Sequence, residues 1–359
     1  MLTSEQKKMS RHDNLSFRHV VGRGAGAQYD EAMSWLDRCH DHDALQPVES
    51  SVIVHRLSRQ GLTATGLIAE VSLAGYNAGR VKRHEATIAK TERKMINYME
   101  STRIYGNAVA LAHQDDPLIA AAIATHCRVA PDIVFEAIDG AQHELWFVDG
   151  DEAATLCARF NDVLYITDGH HRLAAAATLA TSEGRTDDHI PAGVFAESEL
   201  GLWAYARAIT DPAVEPTEVI AELQGRFVLE ASDLDVPRPT TPRQMGVRIA
   251  GRSYLMTIPQ ALVPADPYDR LDVNLLQDLV LAPLFDLANP RTDRRLDFIA
   301  DTGDDAHDAD SYDAWFLPHP TSVSDVMMVA NTERSMPPKS TYFLPKLPSG
   351  LVIRPVDFD

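Results

Sequence analysis

The sequence predicts an α/β (α+β) protein built on a mixed sheet, and three observations lead there. Short runs of apolar and β-branched residues alternate with stretches whose apolar residues recur at every third or fourth place. Two pairs of the strand-like runs, Ser51 to Leu57 with Thr65 to Leu73 and Ile133 to Ile138 with Glu144 to Val148, are spaced as hairpins. Val163 to Thr167 then reads as a buried strand that breaks at Asp168-Gly169 and turns into a helix through the Ala- and Leu-rich stretch Leu173 to Ala180.

Taken in order, residues 1–28 are polar, and Tyr29 to Cys39 has a helical pattern. Gly22-Arg23-Gly24-Ala25-Gly26 resembles a phosphate loop but lacks the Lys-Ser/Thr ending, so it reads as a turn. His40-Asp41-His42-Asp43 reads as a solvated loop rather than a metal cluster. After the first hairpin comes a turn at Tyr76 to Arg80. Ile88, Met95, Ile96 and Met99 then recur at helical spacing, which predicts a helix starting near His84 with Glu85 in its first turn. Tyr105 to Leu111 reads as a strand, Pro117 to Arg128 as a helix, and Glu152 to Phe160 as the helix leading into the central strand.

Past that strand, Gly184 supplies a helix stop. Ile190 to Phe195, Leu202 to Ile209, Phe227 to Ala231 and Trp315 to Leu317 read as strands. Pro216 to Leu223, Leu271 to Leu287 and Ser324 to Thr332 read as helices. Pro237 to Pro242 is a connector, and Asp301 to Asp310 is an acidic, solvated loop. The expected division is residues 1–200, carrying the chemistry-bearing turn, and residues 201–359, an α/β region packing over them as a lid.

With 359 residues the chain is long enough for two domains. No apolar run reaches the length of a membrane span, and Met1 to Arg11 lacks an apolar signal core, so the expected setting is cytoplasmic. Cys39, Cys127 and Cys157 are too scattered for a disulfide framework or a zinc site. A net charge of −19 repels polyanions, which argues against nucleic acid as a partner. A small anion held in a local basic pocket fits better.

Such a pocket is offered at Asp168-Gly169-His170-His171-Arg172. Unpaired N–H groups and the positive end of the helix dipole point outward where a strand becomes a helix. Arg172 adds a forked, permanent charge, and Gly169 lets backbone approach a ligand. A structural reading makes this a tight turn whose histidines cap a helix; the convergence of two His, an Arg, an Asp and a Gly favours function. Glu85 has two readings as well, a first-turn acid placed by the dipole or a general base among Lys82, Arg83, Lys90 and Arg93. Lys339, with Ser340 and Thr341 in a Pro-rich run, is a further candidate for meeting an anion.

KRHEAT around Glu85, YITDGHHR around Asp168 and MPPKSTYFLPK near the C-terminus, in that order, resemble the DUF1015 family of unknown function, from about Leu15 onward. That family is similar to the ParB/sulfiredoxin superfamily, which implies a ParB/sulfiredoxin-like core with a C-terminal extension. Within the superfamily, free serine kinases carry a His-Glu pair followed by a DGHHR turn. The resemblance implies ATP or ADP with magnesium as cofactors and the hydroxyl of free serine, or a related amino acid, as acceptor. It implies Glu85 as the base, assisted by His84, His170 and His171. Asp168, Gly169, His170, His171 and Arg172 would hold phosphates, with Asp168 the magnesium partner and Lys339, Ser340 and Thr341 adding contacts. Thr87, Lys90 and Arg207 are the implied substrate contacts; Arg207 ends Ala204-Tyr205-Ala206-Arg207, which stands where the family has Pro-Thr-His-Arg. A homodimer is expected. The alternative from another class is a ParB-like, nucleotide-binding regulatory protein without turnover.

Overall fold

The computed structural model describes Ser34 and residues 51–59, 61–137, 140–160, 163–212, 214–302, 309–332 and 334–356. The glycine-rich turn at 22–26 and the His-Asp stretch at 40–43 lie outside them, as does most of the helical stretch at 29–39 and of the acidic loop at 301–310. The described residues form two compact units, one within Met1–Gly201 and Pro345–Asp359, the other within Leu202–Leu344. Among them no helix is long and apolar enough to cross a membrane.

The first unit runs β1 (Ser51–Arg59), β2 (Leu62–Ser72), α1 (Leu73–Asn77), β3 (Val81–Lys82), α2 (Ala89–Thr102), β4 (Ile104–Tyr105) and β5 (Val109–His113). It continues through α3 (Pro117–His126), β6 (Ile133–Glu136), β7 (Gln142–Asp149), α4 (Gly150–Cys157), β8 (Leu164–Asp168), α5 (His170–Ser182) and β9 (His189–Ala196). Eight strands form one mixed sheet in the order β3-β8-β5-β9-β2-β1-β7-β6. β3 with β8 and β5 with β9 are parallel, and the other neighbours are antiparallel.

Two apolar layers cover this sheet, as the period-two alternation of its strands requires. Val52 and Val54 of β1 join Leu67, Trp146 and Val148 under Ile119 and Ile123 of α3 and Leu156 of α4. Ile53, between them in sequence, turns the other way to meet Ile68 and Leu145. Farther along the sheet, Val109, Leu111, Ile166, Ile190 and Val194 pack under α5 and α2. The alanines of α5 let that helix lie close to the sheet, with Ala175 and Ala176 fully buried. α3 is capped by Asp116, which accepts from the Leu118 and Ile119 N–H groups, with Pro117 in the first turn. α5 stops where the sequence predicts: Gly184 has φ of +71° and Arg185 N–H donates to Ala180 O at 2.9 Å, closing the helix end.

Two readings need correction. The helix predicted from His84 starts at Ala89, leaving His84 and Glu85 in an irregular stretch between β3 and α2. Met95, Ile96 and Met99 are its buried stripe, whereas Ile88 is 55% exposed. The single strand predicted over Tyr105 to Leu111 is two, broken at Gly106 to Ala108.

The second unit begins within β10 (Gly201–Trp203) and continues through β11 (Tyr205–Ile209), α6 (Pro216–Arg226), β12 (Val228–Ser232), β13 (Gln244–Ile249) and β14 (Arg252–Thr257). α7 (Asp272–Leu276), α8 (Ala282–Phe285), β15 (Leu296–Ala300), β16 (Ala314–Pro318), α9 (Val323–Asn331) and β17 (Tyr342–Leu344) follow. Its main sheet, β12-β14-β13-β16-β11-β15, is antiparallel throughout. A π-helical turn over Gln277–Leu281 joins α7 to α8, so the helix expected over Leu271 to Leu287 is one continuous rod. Pro283, which cannot donate to the preceding turn, lies just beyond that wider turn. The hairpin of β13 and β14 and the strand β15 were not anticipated from sequence.

Candidate functional site

β3 and β8 are parallel neighbours, with Val81 opposite Leu164 and Lys82 opposite Tyr165. Both strands therefore point the same way, and the residues after each emerge at the same sheet edge. Beyond Lys82 comes His84-Glu85; beyond Ile166 comes Asp168-Gly169-His170-His171-Arg172. The structure brings these two motifs together. The rings of His84 and His170 meet edge to face with centroids 4.5 Å apart. Ile88 N–H donates to His171 Nε2 at 3.0 Å, which leaves that nitrogen unprotonated and joins the residue before α2 to the first turn of α5. Neither helix has a side chain capping its N-terminus. Two positive helix ends and their orphan N–H groups thus begin side by side.

Gly169, in the cap position of α5, has φ of +94°. A Cβ there would lie 2.9 Å from Val109 Cγ1 and 3.0 Å from Arg172 Nε, so both backbone conformation and space demand glycine. Arg172 is oriented by an ion pair to Asp168 Oδ2 and by donation from Nη1 to Ala108 O at 2.5 Å. The second oxygen of Asp168 accepts from Lys346 Nζ at 3.0 Å. Lys346 belongs to the C-terminal segment, which returns to the first unit. There Gly350 N–H donates to Gly106 O, Leu351 and Val352 pack on Ile53 and Ile68, Arg354 pairs with Asp188, and Arg354–Pro355 pairs with β4.

Burial alone would raise the Asp168 carboxyl, but the charges of Arg172 and Lys346 hold it well below the usual carboxylate range. Burial lowers His84 from 6.5 to about 4, opposed by a hydrogen bond to the backbone of Ile166 and reinforced by the charge of Lys346. Burial, then neighbouring His84, drives His170 well below its ordinary value. Both imidazoles are neutral near pH 7, so His170 does not titrate there as an acid–base group whose ordinary value lies near neutrality would. Its Nε2 is buried with no hydrogen-bond partner among the described residues.

Glu85 is half-buried and, among the described residues, makes no hydrogen bond or ion pair. Thr87 is half-buried and Lys90, in the first turn of α2, is exposed. The carboxylate that the resemblance assigns to magnesium meets a side-chain cation on each oxygen, so Asp168 does not fit a magnesium ligand in this arrangement. Among the described residues no group of three or more His, Cys, Asp or Glu is placed to hold a metal ion.

The remaining candidates lie in the second unit. Arg207 is 3% exposed, and burial lowers its guanidinium to about 9. Its donors face the carbonyls of Tyr205, Lys339 and Pro338, and it sits 4.8 Å over the Phe298 ring. This arginine anchors the Pro338-Lys339 turn. Lys339 has φ of +53° and its ammonium lies 5.5 Å over Tyr205. Ser340 donates to Pro337 O at 2.7 Å, and Thr341 is half-buried beside it. Sequence reasoning chose Lys339 from the C-terminal motif; the lysine beside Asp168 is Lys346. Only its membership of the same motif pointed to it.

No curated protein matches the chain. A free serine kinase in complex with AMP is similar at 13% identity, covering 81% of this chain and 92% of that one, with a TM-score of 0.42. SbnI with C-terminal truncation, from Staphylococcus aureus, is similar at 9% identity over 77% of this chain and 82% of that one, with a TM-score of 0.43. A conserved hypothetical protein from Pyrococcus furiosus is 13% identical over 79% and 93%, with a TM-score of 0.38. The family described as protein of unknown function (DUF1015) matches residues 1–274, and the chain belongs to that family.

Proposed function

We propose that this chain is a small-molecule kinase with a ParB/sulfiredoxin-related core, transferring the terminal phosphoryl group of ATP or ADP to the hydroxyl of free serine or a related amino acid. The observation that carries the reading is the meeting of His84-Glu85 with the Asp168–Arg172 turn, fixed by the parallel register of β3 and β8 and the 4.5 Å contact of His84 with His170. Phosphoryl transfer asks for charge stabilisation, in-line placement and a group to receive the hydroxyl proton. The first-turn N–H groups of α5 and the guanidinium of Arg172 supply the first. Glu85, unengaged among the described residues, supplies the last. The hydroxyl oxygen bonds to the terminal phosphorus, the bond to the bridging oxygen breaks, the proton passes to Glu85, and the shortened nucleotide leaves with the electron pair.

The test is calorimetric titration with ATP, ADP and CTP, alongside a product assay with hydroxy amino acids. Arg172→Ala is expected to weaken nucleotide binding by about tenfold or more, the worth of a charge-assisted contact. Glu85→Gln is expected to bind nucleotide within about twofold of wild type while turnover drops by about a hundredfold or more. Saturable binding without turnover on any acceptor would leave the ParB-like regulatory reading. A wild-type protein that binds no nucleotide would end both.

A further inference from the structure

Cations gather at this site where a helix by itself disfavours them. The N-terminal end of a helix carries partial positive charge, and carboxylates rather than cations are favoured there. Yet Arg172 sits in the first turn of α5 and Lys346 is brought to the same place from 178 residues beyond Asp168. Asp168 is paired with both. The Lys346 and Asp168 side chains are 37% and 40% exposed, so the ammonium stays within reach of a ligand. The two nearby imidazoles are neutral, and His170 Nε2 is buried beside them without a partner among the described residues. Two cations converging on one carboxylate, two uncapped helix ends and a buried imidazole nitrogen without a partner among the described residues describe a place where a polar anion can be received.

We propose that Lys346 is a phosphate-binding residue of this site, delivered by the C-terminal segment and parked on Asp168 until a dianionic phosphate takes its ammonium. Asp168, which leads into the first turn of α5, holds both Lys346 and Arg172. On binding, the phosphate accepts from the ammonium and the amides together. The proposal rests on the kinase reading for the identity of its ligand, a nucleotide's terminal phosphate, and on geometry alone for the site.

The experiment titrates full-length wild type, Lys346→Gln and Lys346→Arg with ADP, AMP, adenosine and inorganic phosphate, at low and high salt. Lys346→Gln is expected to lose about tenfold in ADP affinity and part of its salt dependence, with adenosine affinity held within about twofold. Lys346→Arg is expected to recover most of the loss. Equal ADP affinity in wild type and Lys346→Gln would overturn the proposal and leave the kinase intact. A loss that falls equally on adenosine would show that Lys346 merely braces the fold, which also overturns it. Should wild type bind no nucleotide, the kinase reading falls, and inorganic phosphate decides: binding that Lys346→Gln loses upholds the anion site, and absent or unaltered binding overturns it.

Discussion

A side chain at position 169 would need a φ of +94° and would drive its Cβ to 2.9 Å from Val109 and 3.0 Å from Arg172. Gly169→Ala is therefore expected to destabilise the fold by about 1–3 kcal/mol, read from urea unfolding, with the strain falling on Val109 and the Arg172 guanidinium. Nucleotide affinity should drop along with the unfolding midpoint; an alanine variant as stable as wild type would mean that the turn relaxes at no cost. That a glycine was needed here is written in the sequence, since Asp168-Gly169 interrupts a strand. Its crowding by Val109 is not, because β5 lies far away along the chain and joins β8 only through the sheet.

At the scale of elements, legibility followed periodicity. α5, α6 and the rod over Leu271 to Leu287 have unbroken apolar spacing and stand where the sequence puts them. The sequence pattern starts α2 a turn too early because Ile88 fits the helical spacing of Met95 and Met99 yet is exposed. That difference matters for chemistry: Glu85 is in the stretch that follows β3, not on a helix, between His84 and Ile88, the two residues that touch the first turn of α5. The hairpin of β13 and β14 does carry a local signal, with Met245, Val247 and Ile249 alternating ahead of Ala250-Gly251. Of the site itself, the turn and the His-Glu pair were legible as motifs. Their contact with each other and with Lys346 was not, since pairing across the sheet and the return of the C-terminal segment leave no local trace.

Across the whole molecule, buried neutral histidines tie stability to pH. Burial lowers His55 from 6.5 to about 3, helped by its neighbour His143, and lowers His84 to about 4. His170 is driven in the same direction. Each folded value lies below the unfolded one, so between 6.5 and that value the unfolded chain binds the extra proton. Stability from these groups is complete above about 6.5 and is lost as pH falls toward 4 and then 3, each group contributing at most about 1.4 kcal/mol per pH unit. Urea midpoints at pH 7.5, 6 and 5 should fall progressively, and His55→Phe, whose ring can keep the stacking on His143 and the edge contact with Phe195, should flatten the slope. A midpoint that holds steady from pH 7 to 5 would contradict this account.

The return of the last residues to the first unit bears on how the gene tolerates interruption. A stop codon after Leu344 would spare the whole span that matches the family, residues 1–274, and every residue of the Asp168–Arg172 turn. It would still remove Lys346, the strand partner of β4 and the apolar cover that Leu351 and Val352 give Ile53. Such a shortened product is expected to melt at lower temperature than the full chain and to bind phosphate weakly. A frameshift just after Leu344 would then act as a loss-of-function allele, although it leaves the His-Glu pair and the whole Asp168–Arg172 turn untouched.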